Sequence, residues 1–450
     1  MPAFALSPQT WPFDLQWLPT SACLVGGSVR DALLERTSDY LDLDFVLPEG
    51  AVETARAIAR HYKAGFVLLD AERQIARVVF AQGTADFAQQ VGDSLADDLA
   101  RRDFRANAIA YNPHTQELID PLNGCQDLQM GMLSMIAPEN LAEDPLRLLR
   151  AYRQAAQLGF SLDPETRQVI QKLADRLSGI AAERVQSELN YLLSTAKGTA
   201  WLQLAWEDGL LRHWLPDIAA AGLERLRQID RWYSDLKEDW PVVAALCVQD
   251  IRSSHQTKTR GKTAAQGKNQ SGAARSDWGV DNGANLDSPP SGSTRTWLTT
   301  AKLACLMAVD HAVGAEAQLW QLKYSRAEVQ AVITVLRHLA ELVQGDIRQS
   351  AQQYHFFQAV GQVFPALVIS ALAAGQPLAQ LRPLLHCFLD PLDQVAHPQP
   401  LLSGQDLMRS LGLPPSPQIG QLLAALQLAR AEGQIHDRET ALEFARRQLG

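Results

Sequence analysis

The sequence predicts an α+β protein, with a small mixed sheet near its N-terminus and helices everywhere after it. Two observations carry this. Between Cys23 and about Leu133, short runs rich in Val, Ile and Phe alternate with helical stretches. From about Pro138 onward the strand signals stop and apolar residues recur at helical spacing. The length sets the scale: 450 residues, 46% hydrophobic and 20% charged, suggest about three units with real cores at roughly 150 residues each.

Within the head, ACLV, LDFVL, FVLLD, ARVVFA, TADFA and AIAYN have strand length, and ETARAIARHYKA between them is an amphipathic helix. Downstream, DPLRLLRAYRQAAQLGF, PETRQVIQKLADRL, AERVQSELNYLL and AEVQAVITVLRHLAELV read as helices. The expected order is an N-terminal segment over 1–21, a head over 22–135, a helical neck over 136–200, a helical body over 201–251, an insertion over 252–296, and a helical body and tail over 297–450. The insertion is rich in Ser, Gly, Asn and Gln and nearly lacks aliphatic residues, so it cannot offset its ordering entropy and is expected to be disordered. Its Lys258, Arg260, Lys262, Lys268 and Arg275 offer charge to RNA, but composition alone favours a solvated spacer.

Several classes are excluded by what the chain carries. No run approaches the roughly 18 apolar residues of a membrane span, and the proline-broken N-terminus lacks the basic start of a secretory signal. Five cysteines lie singly, without zinc-site or disulfide-scaffold spacing, which points to a reducing cytoplasm. A net charge of -9 argues against coating nucleic acid by bulk charge. Local arginine clusters remain, at Arg101, Arg102 and Arg105 and at Arg147, Arg150 and Arg153, and these mark where an anion would sit.

Chemistry concentrates in LVGGSVRDALLERTSDYLDLDFVL, Leu24 to Leu47. A strand runs into Gly26, Gly27 and Ser28 and then a helix. Such a turn lets backbone N–H groups approach a phosphate, although a Gly-Gly pair is more often only a turn. In the next strand Asp42 and Asp44 are two apart and share a face, while Leu43, Phe45 and Leu47 point into a core. Paired carboxylates on an apolar strand repel unless a cation lies between them, and hard oxygen donors suit magnesium (Mg2+). Two such ions would serve an in-line phosphoryl displacement. Asp86, on a later strand-like run, is a candidate third acid facing the pair.

In EDPLRLLRAYRQ, Asp144 precedes Pro145 and occupies the N-cap region of a helix ending at Gly159. Arg147, Arg150 and Gln154 fall on one face. An arginine fork and a carboxylate one turn apart jointly offer donors and an acceptor to a base edge. Taken alone, an N-cap and a surface ion pair would explain the same residues.

The ordered blocks LVGGSVRDALLER, DLD, DDLARRDFRANAIAYNP, DPLNGCQDL, EDPLRLLRAYRQAAQLGF and AERVQSEL resemble the bacterial tRNA nucleotidyltransferase and poly(A) polymerase family, within the superfamily that includes DNA polymerase β. The resemblance covers roughly residues 22 to 193 and, loosely, PLLSGQDLMRSLGLPPSPQIGQLLAAL near the end. It implies a polymerase-β-like nucleotidyltransferase head followed by an all-α neck, body and tail. It implies that Asp42 and Asp44 hold Mg2+ with Asp86 as a third catalytic acid, and that Gly26, Gly27, Ser28 and Arg30 hold the triphosphate. Arg102, Asp103 and Asn107 would bind ribose and phosphate oxygens. Asp144 and Arg147, with Glu143 in support and Arg150 nearby, would pair with incoming CTP or ATP in place of a template. Arg105 stands where a small hydroxyl residue is more usual in the family, and Glu183 and Arg184 resemble a block that braces the neck.

The implied reaction is attack of a tRNA 3′-hydroxyl on the nucleotide α-phosphate, adding C and/or A of the 3′-CCA end, with no membrane and no stable protein partner. Complete CCA-adding members usually carry a flexible loop before the RRDF block. Here DFAQQVGDSLADDLARRDF joins those points compactly, which favours CC addition. Gln249-Asp250 stands where some relatives carry a phosphohydrolase His-Asp doublet, so that activity is not expected. Alternatives are poly(A) synthesis, a non-catalytic RNA-binding relative, and modification of a small hydroxylated molecule.

Overall fold

The computed structural model describes residues 4–36, 40–218, 220–251, 295–307, 312–345 and 347–449. They form two compact units, the first built of residues up to Pro216 together with Gln321–Tyr324.

The head holds a seven-stranded mixed sheet. Its elements are β1 (Cys23–Val25), α1 (Gly27–Leu33), β2 (Leu41–Leu47), α2 (Ala51–Tyr62), β3 (Gly65–Asp70), β4 (Ile75–Phe80), β5 (Gly83–Gln89), α3 (Leu95–Ala100), β6 (Ala110–Asn112), β7 (Glu117–Ile119) and α4 (Gly124–Met130). The strand order is β3-β4-β5-β2-β1-β6-β7, with β2 and β5 parallel and every other pair antiparallel.

Alternation along the strands gives the sheet two different faces. On one, Leu43, Phe45, Leu47, Ala85 and Phe87 are fully buried beside Ala55 and Ile58 of α2. The N-terminal segment closes this face: Trp11 meets Phe45 edge-on at 5.2 Å, and Phe13 stacks on Phe80 at 5.9 Å. The other face carries the carboxylates. Close packing of β5 on β2 depends on Gly83, where a Cβ would lie 2.5 Å from the Leu41 carbonyl oxygen.

After the head come β8 (Met132–Leu133), α5 (Pro138–Glu143), α6 (Leu146–Leu158), β9 (Ser161–Leu162), α7 (Pro164–Leu173), α8 (Ala182–Ser194) and α9 (Gly198–Glu207). The short parallel pair β8–β9 lies partly beyond the point where strand signals end in the sequence, because two residues are too few to show alternation. Helix α6 starts at Leu146, two residues after Asp144, and stops at Gly159 in the left-handed region at φ 73°. Its Leu148, Leu149, Tyr152 and Ala155 are fully buried. Helix α9 packs on α6 and α8, so it belongs with the neck rather than with a body beginning at 201.

Among its described residues the second unit's α-helices are α10 (Ala220–Asp239), α11 (Pro241–Cys247), α12 (Trp297–Leu306), α13 (Ala312–Gln321), α14 (Arg326–Gln344), α15 (Ser350–Val360), α16 (Phe364–Ala373), α17 (Leu378–Leu389), α18 (Gly404–Leu411), α19 (Pro417–Ala431) and α20 (Arg438–Arg447), and it holds no β-strand beyond the single bridge Asp250–Thr296. Helix α16 is buried along its whole length against α10, α12 and α14. The apolar run Ser350–Ala373 is long enough to cross a membrane by composition, but 67% of its most apolar 18-residue stretch is buried inside the protein, as befits core helices. The predicted insertion lies outside the described residues except for Arg295 and Thr296. Both belong to the body: the Ile251 N–H donates to the Arg295 carbonyl at 3.0 Å, and Thr296 caps α12.

Candidate active site

Strand register places the acids. Asp44 on β2 pairs with Asp86 on β5, and Asp42 pairs with Thr84. Parallel pairing puts partners on one face, so the three carboxylates share the face opposite the aromatic core. Thr84 Oγ1 donates to Asp42 Oδ1 at 2.5 Å. Asp44 and Asp86 are buried, at 3% and 6% exposure.

Asp86 has a partner that sequence reading missed. Arg77 on β4 stands opposite it and donates from Nε and Nη2 to its two carboxylate oxygens at 2.7 and 2.8 Å. Burial pushes the Asp86 carboxyl up and Arg77 pulls it back, while the charge of Asp42 adds to the rise. The bond to Asp86 raises the Arg77 guanidinium, with Asp42 and Asp44 contributing. The two-residue turn at Ala81 and Gln82 pairs Phe80 with Gly83 and thereby fixes Arg77 against Asp86. That turn was the available signal.

The Gly-Gly turn abuts these acids. Gly26 has φ 73°, and a Cβ there would lie 3.5 Å from Asp44 Oδ2 and 3.4 Å from Arg102 Nη1. Only glycine gives this conformation without strain and keeps the backbone so near both charges. Ser28 turns away: its Oγ donates to the Val25 carbonyl at 3.1 Å, and it is not a cleft-lining residue.

A cleft of about 230 Å³ opens over this face. Of the expected residues it brings together Gly26, Gly27, Asp44, Asp86, Arg102, Asp103, Asn107, Asp144, Arg147 and Arg150. Asp42, half-exposed on the same face, is not among the lining residues, nor are Ser28 and the buried Arg30, and Glu143 and Arg105 are exposed outside it. The cleft also takes in Arg101, from the arginine cluster the sequence marked for an anion, and Arg73, Arg184 and Glu188, which the sequence did not mark as ligand contacts.

Many of the expected contacts hold one another. Arg102 pairs with Asp98 at 3.2 Å, and Arg150 with Asp103 at 3.2 Å. Arg30 Nη1 donates to Asn107 Oδ1 at 2.7 Å. Asn107 Nδ2 donates to Asp103 Oδ1 and to Gln154 Oε1, both at 2.9 Å.

Asp144 and Arg147 do not pair with each other. Asp144 accepts two bonds from Arg184 of α8, at 3.2 and 2.8 Å, and a third from the Leu146 N–H at 3.3 Å. Arg147 Nη1 donates to the Arg101 and Asn140 carbonyls at 3.1 and 2.9 Å. Each group is therefore held separately, with hydrogen-bonding capacity left toward the cleft: Nε and Nη2 on the arginine, and lone pairs on the carboxylate. The partner that braces Asp144 is Arg184, from the block the sequence read as bracing the neck.

The donor set fits a divalent cation. Asp42 and Asp44 supply hard oxygens on one strand, and among the described residues no three acidic, histidine or cysteine side chains form a preformed metal cage. A cation held by two carboxylates that completes its shell with water and substrate phosphates has the coordination habit of magnesium.

Comparison with known proteins follows the same division of the chain. Residues 22–134 match the poly A polymerase head domain, 159–221 the probable RNA and SrmB-binding site of polymerase A, and 291–445 a putative tRNA nucleotidyltransferase domain 2. The chain is 45% identical to the CC-adding tRNA nucleotidyltransferase of Synechocystis sp., covering 98% of this chain and 97% of that one. It is 31% identical to the A-adding tRNA nucleotidyltransferase of Deinococcus radiodurans, over 95% and 96%. Among solved structures, a CCA-adding enzyme with ATP shares the fold at TM-score 0.66 and 17% identity, over 95% of this chain and 90% of that one. The Thermotoga maritima CCA-adding enzyme with tRNA does so at 0.63 and 18%, over 95% and 91%.

Proposed function

This chain belongs to the family of tRNA nucleotidyltransferases and poly(A) polymerases, and from that membership we propose that it adds the two cytidylates of the tRNA 3′-CCA end in the cleft of its first unit. The reaction takes CTP and a tRNA lacking its CCA end, without a nucleic-acid template, in the cytoplasm.

The single structural observation that supports CC addition is the short, hydrogen-bonded join between β5 and α3. Gln90 N–H donates to the Leu47 carbonyl at 2.8 Å, Val91 N–H to Asp98 at 3.1 Å, and Ser94 with Asp97 forms a capping box. Complete CCA-adding members are expected to carry a flexible loop at this place. The Synechocystis relative is itself described as CC-adding.

The RNA 3′-hydroxyl attacks the α-phosphorus and pyrophosphate leaves, a displacement in which positioning and charge stabilisation do most of the catalysis. The backbone of Gly26 and Gly27 and the guanidinium of Arg102 face the phosphates. Asp42 and Asp44 would hold Mg2+, which supplies Lewis-acid stabilisation of charge on the transferring group when bound. Asp86, clamped by Arg77, presents a third carboxylate in register with Asp44. Cytosine offers an amino donor and two acceptors on its pairing edge. Asp144 would accept from the first and the free N–H groups of Arg147 would donate to the others.

Incubation with a tRNA ending at the discriminator base, magnesium, and each labelled nucleotide alone and together tests this reading. Two CMP residues from CTP alone, and no AMP in any mixture, are expected. Full CCA, or long A tails, would assign the protein to another activity of the family, and no incorporation with tRNA still bound would sink the enzyme.

A further inference from the structure

Gln154, at 1% exposure, does not line the cleft. It sits two turns along α6 from Arg147 and one turn from Arg150, on the same face. Two rungs run from this face to the segment Asp103–Asn107. Arg150 pairs with Asp103, and Gln154 accepts from Asn107. The segment closes on itself through the Asn107 to Asp103 bond and is tied through Arg30 to α1, the helix after the Gly-Gly turn.

The direction of each bond is fixed by chemistry. Arginine only donates, so the Asn107 atom facing Arg30 is its carbonyl oxygen. Its amino group therefore faces both Asp103 and Gln154, and Gln154 must present its own carbonyl oxygen. What position 154 supplies is an acceptor at a buried site, and losing it would leave an amide donor without its second partner.

We propose that Gln154 is a specificity-determining positioning residue, joining the base-reading helix to the Asp103–Asn107 segment so that Arg147 is held in place relative to a triphosphate turn that is fixed independently. Without this rung, α6 loses one of its buried ties to the segment, and the stretch of helix that carries Arg147 is held less tightly. A shift of Arg147 on the order of an ångström degrades the match to a base edge. The phosphate side, built from α1 and the Gly-Gly turn, does not depend on the rung. The proposal rests on the reading of the cleft as a CTP site.

The test compares kcat/KM for CTP and for UTP on the same tRNA, with binding of inorganic tripolyphosphate as a separate readout. Gln154→Met keeps volume and removes the acceptor. It should lower the CTP-to-UTP ratio about tenfold, chiefly through KM for CTP, as loss of one buried hydrogen bond would. Tripolyphosphate affinity should stay within roughly twofold, a difference that fixed phosphate contacts would leave. Gln154→Glu keeps the acceptor and should retain the wild-type ratio. If Gln154→Met does not fold in a thermal melt, Gln154→Ala carries the same expectation. An unchanged ratio in the acceptor-free variant, with rates either preserved or lowered equally for both nucleotides, overturns the proposal and leaves the CTP reading standing. A wild-type protein that incorporates no CMP overturns both.

Discussion

Asp144 and Arg184, 40 residues apart in the chain, meet through two hydrogen bonds of 3.2 and 2.8 Å, while Arg147 on the helix next to Asp144 is anchored to backbone carbonyls instead. The carboxylate and the guanidinium that the proposal assigns to a base are thus held by separate supports, one from α8 and one from the α3–α5 region.

Replacing Arg184 by alanine should free Asp144 without unfolding the neck. The pair is partly exposed, at 24% and 28% for the two side chains, so its loss should cost no more than about 1 kcal/mol of stability. KM for CTP should rise and discrimination against UTP should fall, measured by steady-state incorporation beside a melting curve. A large loss of melting temperature with unchanged discrimination would make Arg184 a structural residue only.

Gly83→Ala should separate β5 from β2. The added Cβ would meet the Leu41 carbonyl at 2.5 Å and the Leu41 Cβ at 2.9 Å, and backbone cannot yield as a flexible side chain would. Asp86 would shift with its strand, and a displacement near 1 Å can cost on the order of a hundredfold in rate. Turnover should collapse while tRNA binding in a gel-shift assay persists.

How far the sequence announced this site differs from residue to residue. The face shared by Asp42 and Asp44, the core face of Leu43, Phe45 and Leu47, and the end of α6 at Gly159 all follow from local periodicity, and the structure has them so. Arg77 did not stand out, because its partner is set by strand register, and Arg184 stood out only through a resemblance to a neck-bracing block, its bond to Asp144 being set by helix packing. Trp11 and Phe13 were hidden in a proline-rich stretch without period, yet they roof the sheet. Periodicity placed Gln154 beside Arg147 and Arg150, but only packing turns it toward Asn107.

Asp208 accepts bonds from Tyr152 of α6 at 2.6 Å, from Arg167 of α7 at 2.8 Å, and from Gln171 at 2.6 Å. Burial pushes its carboxyl up, but these bonds outweigh burial and hold it below the usual carboxylate range. A lowered folded pKa contributes stability above the unfolded value of about 4, which is lost as pH falls through the lower folded one. Tyr152→Phe should therefore destabilise by about 1 to 1.5 kcal/mol at neutral pH. Melting curves of the two proteins should keep their separation down to about pH 4 and converge below it. A separation that stays constant into acid would show that the bond does not act through Asp208.

The most direct measurement of the central claim is the intact mass of tRNA recovered after incubation with CTP, ATP and magnesium, for the wild type and for Asp44→Ala, with tRNA affinity measured for both. The account predicts a wild-type product longer by two cytidylates, an unextended product for Asp44→Ala, and equal tRNA affinity. Extension by Asp44→Ala would contradict it, as would a wild-type product that ends in adenosine.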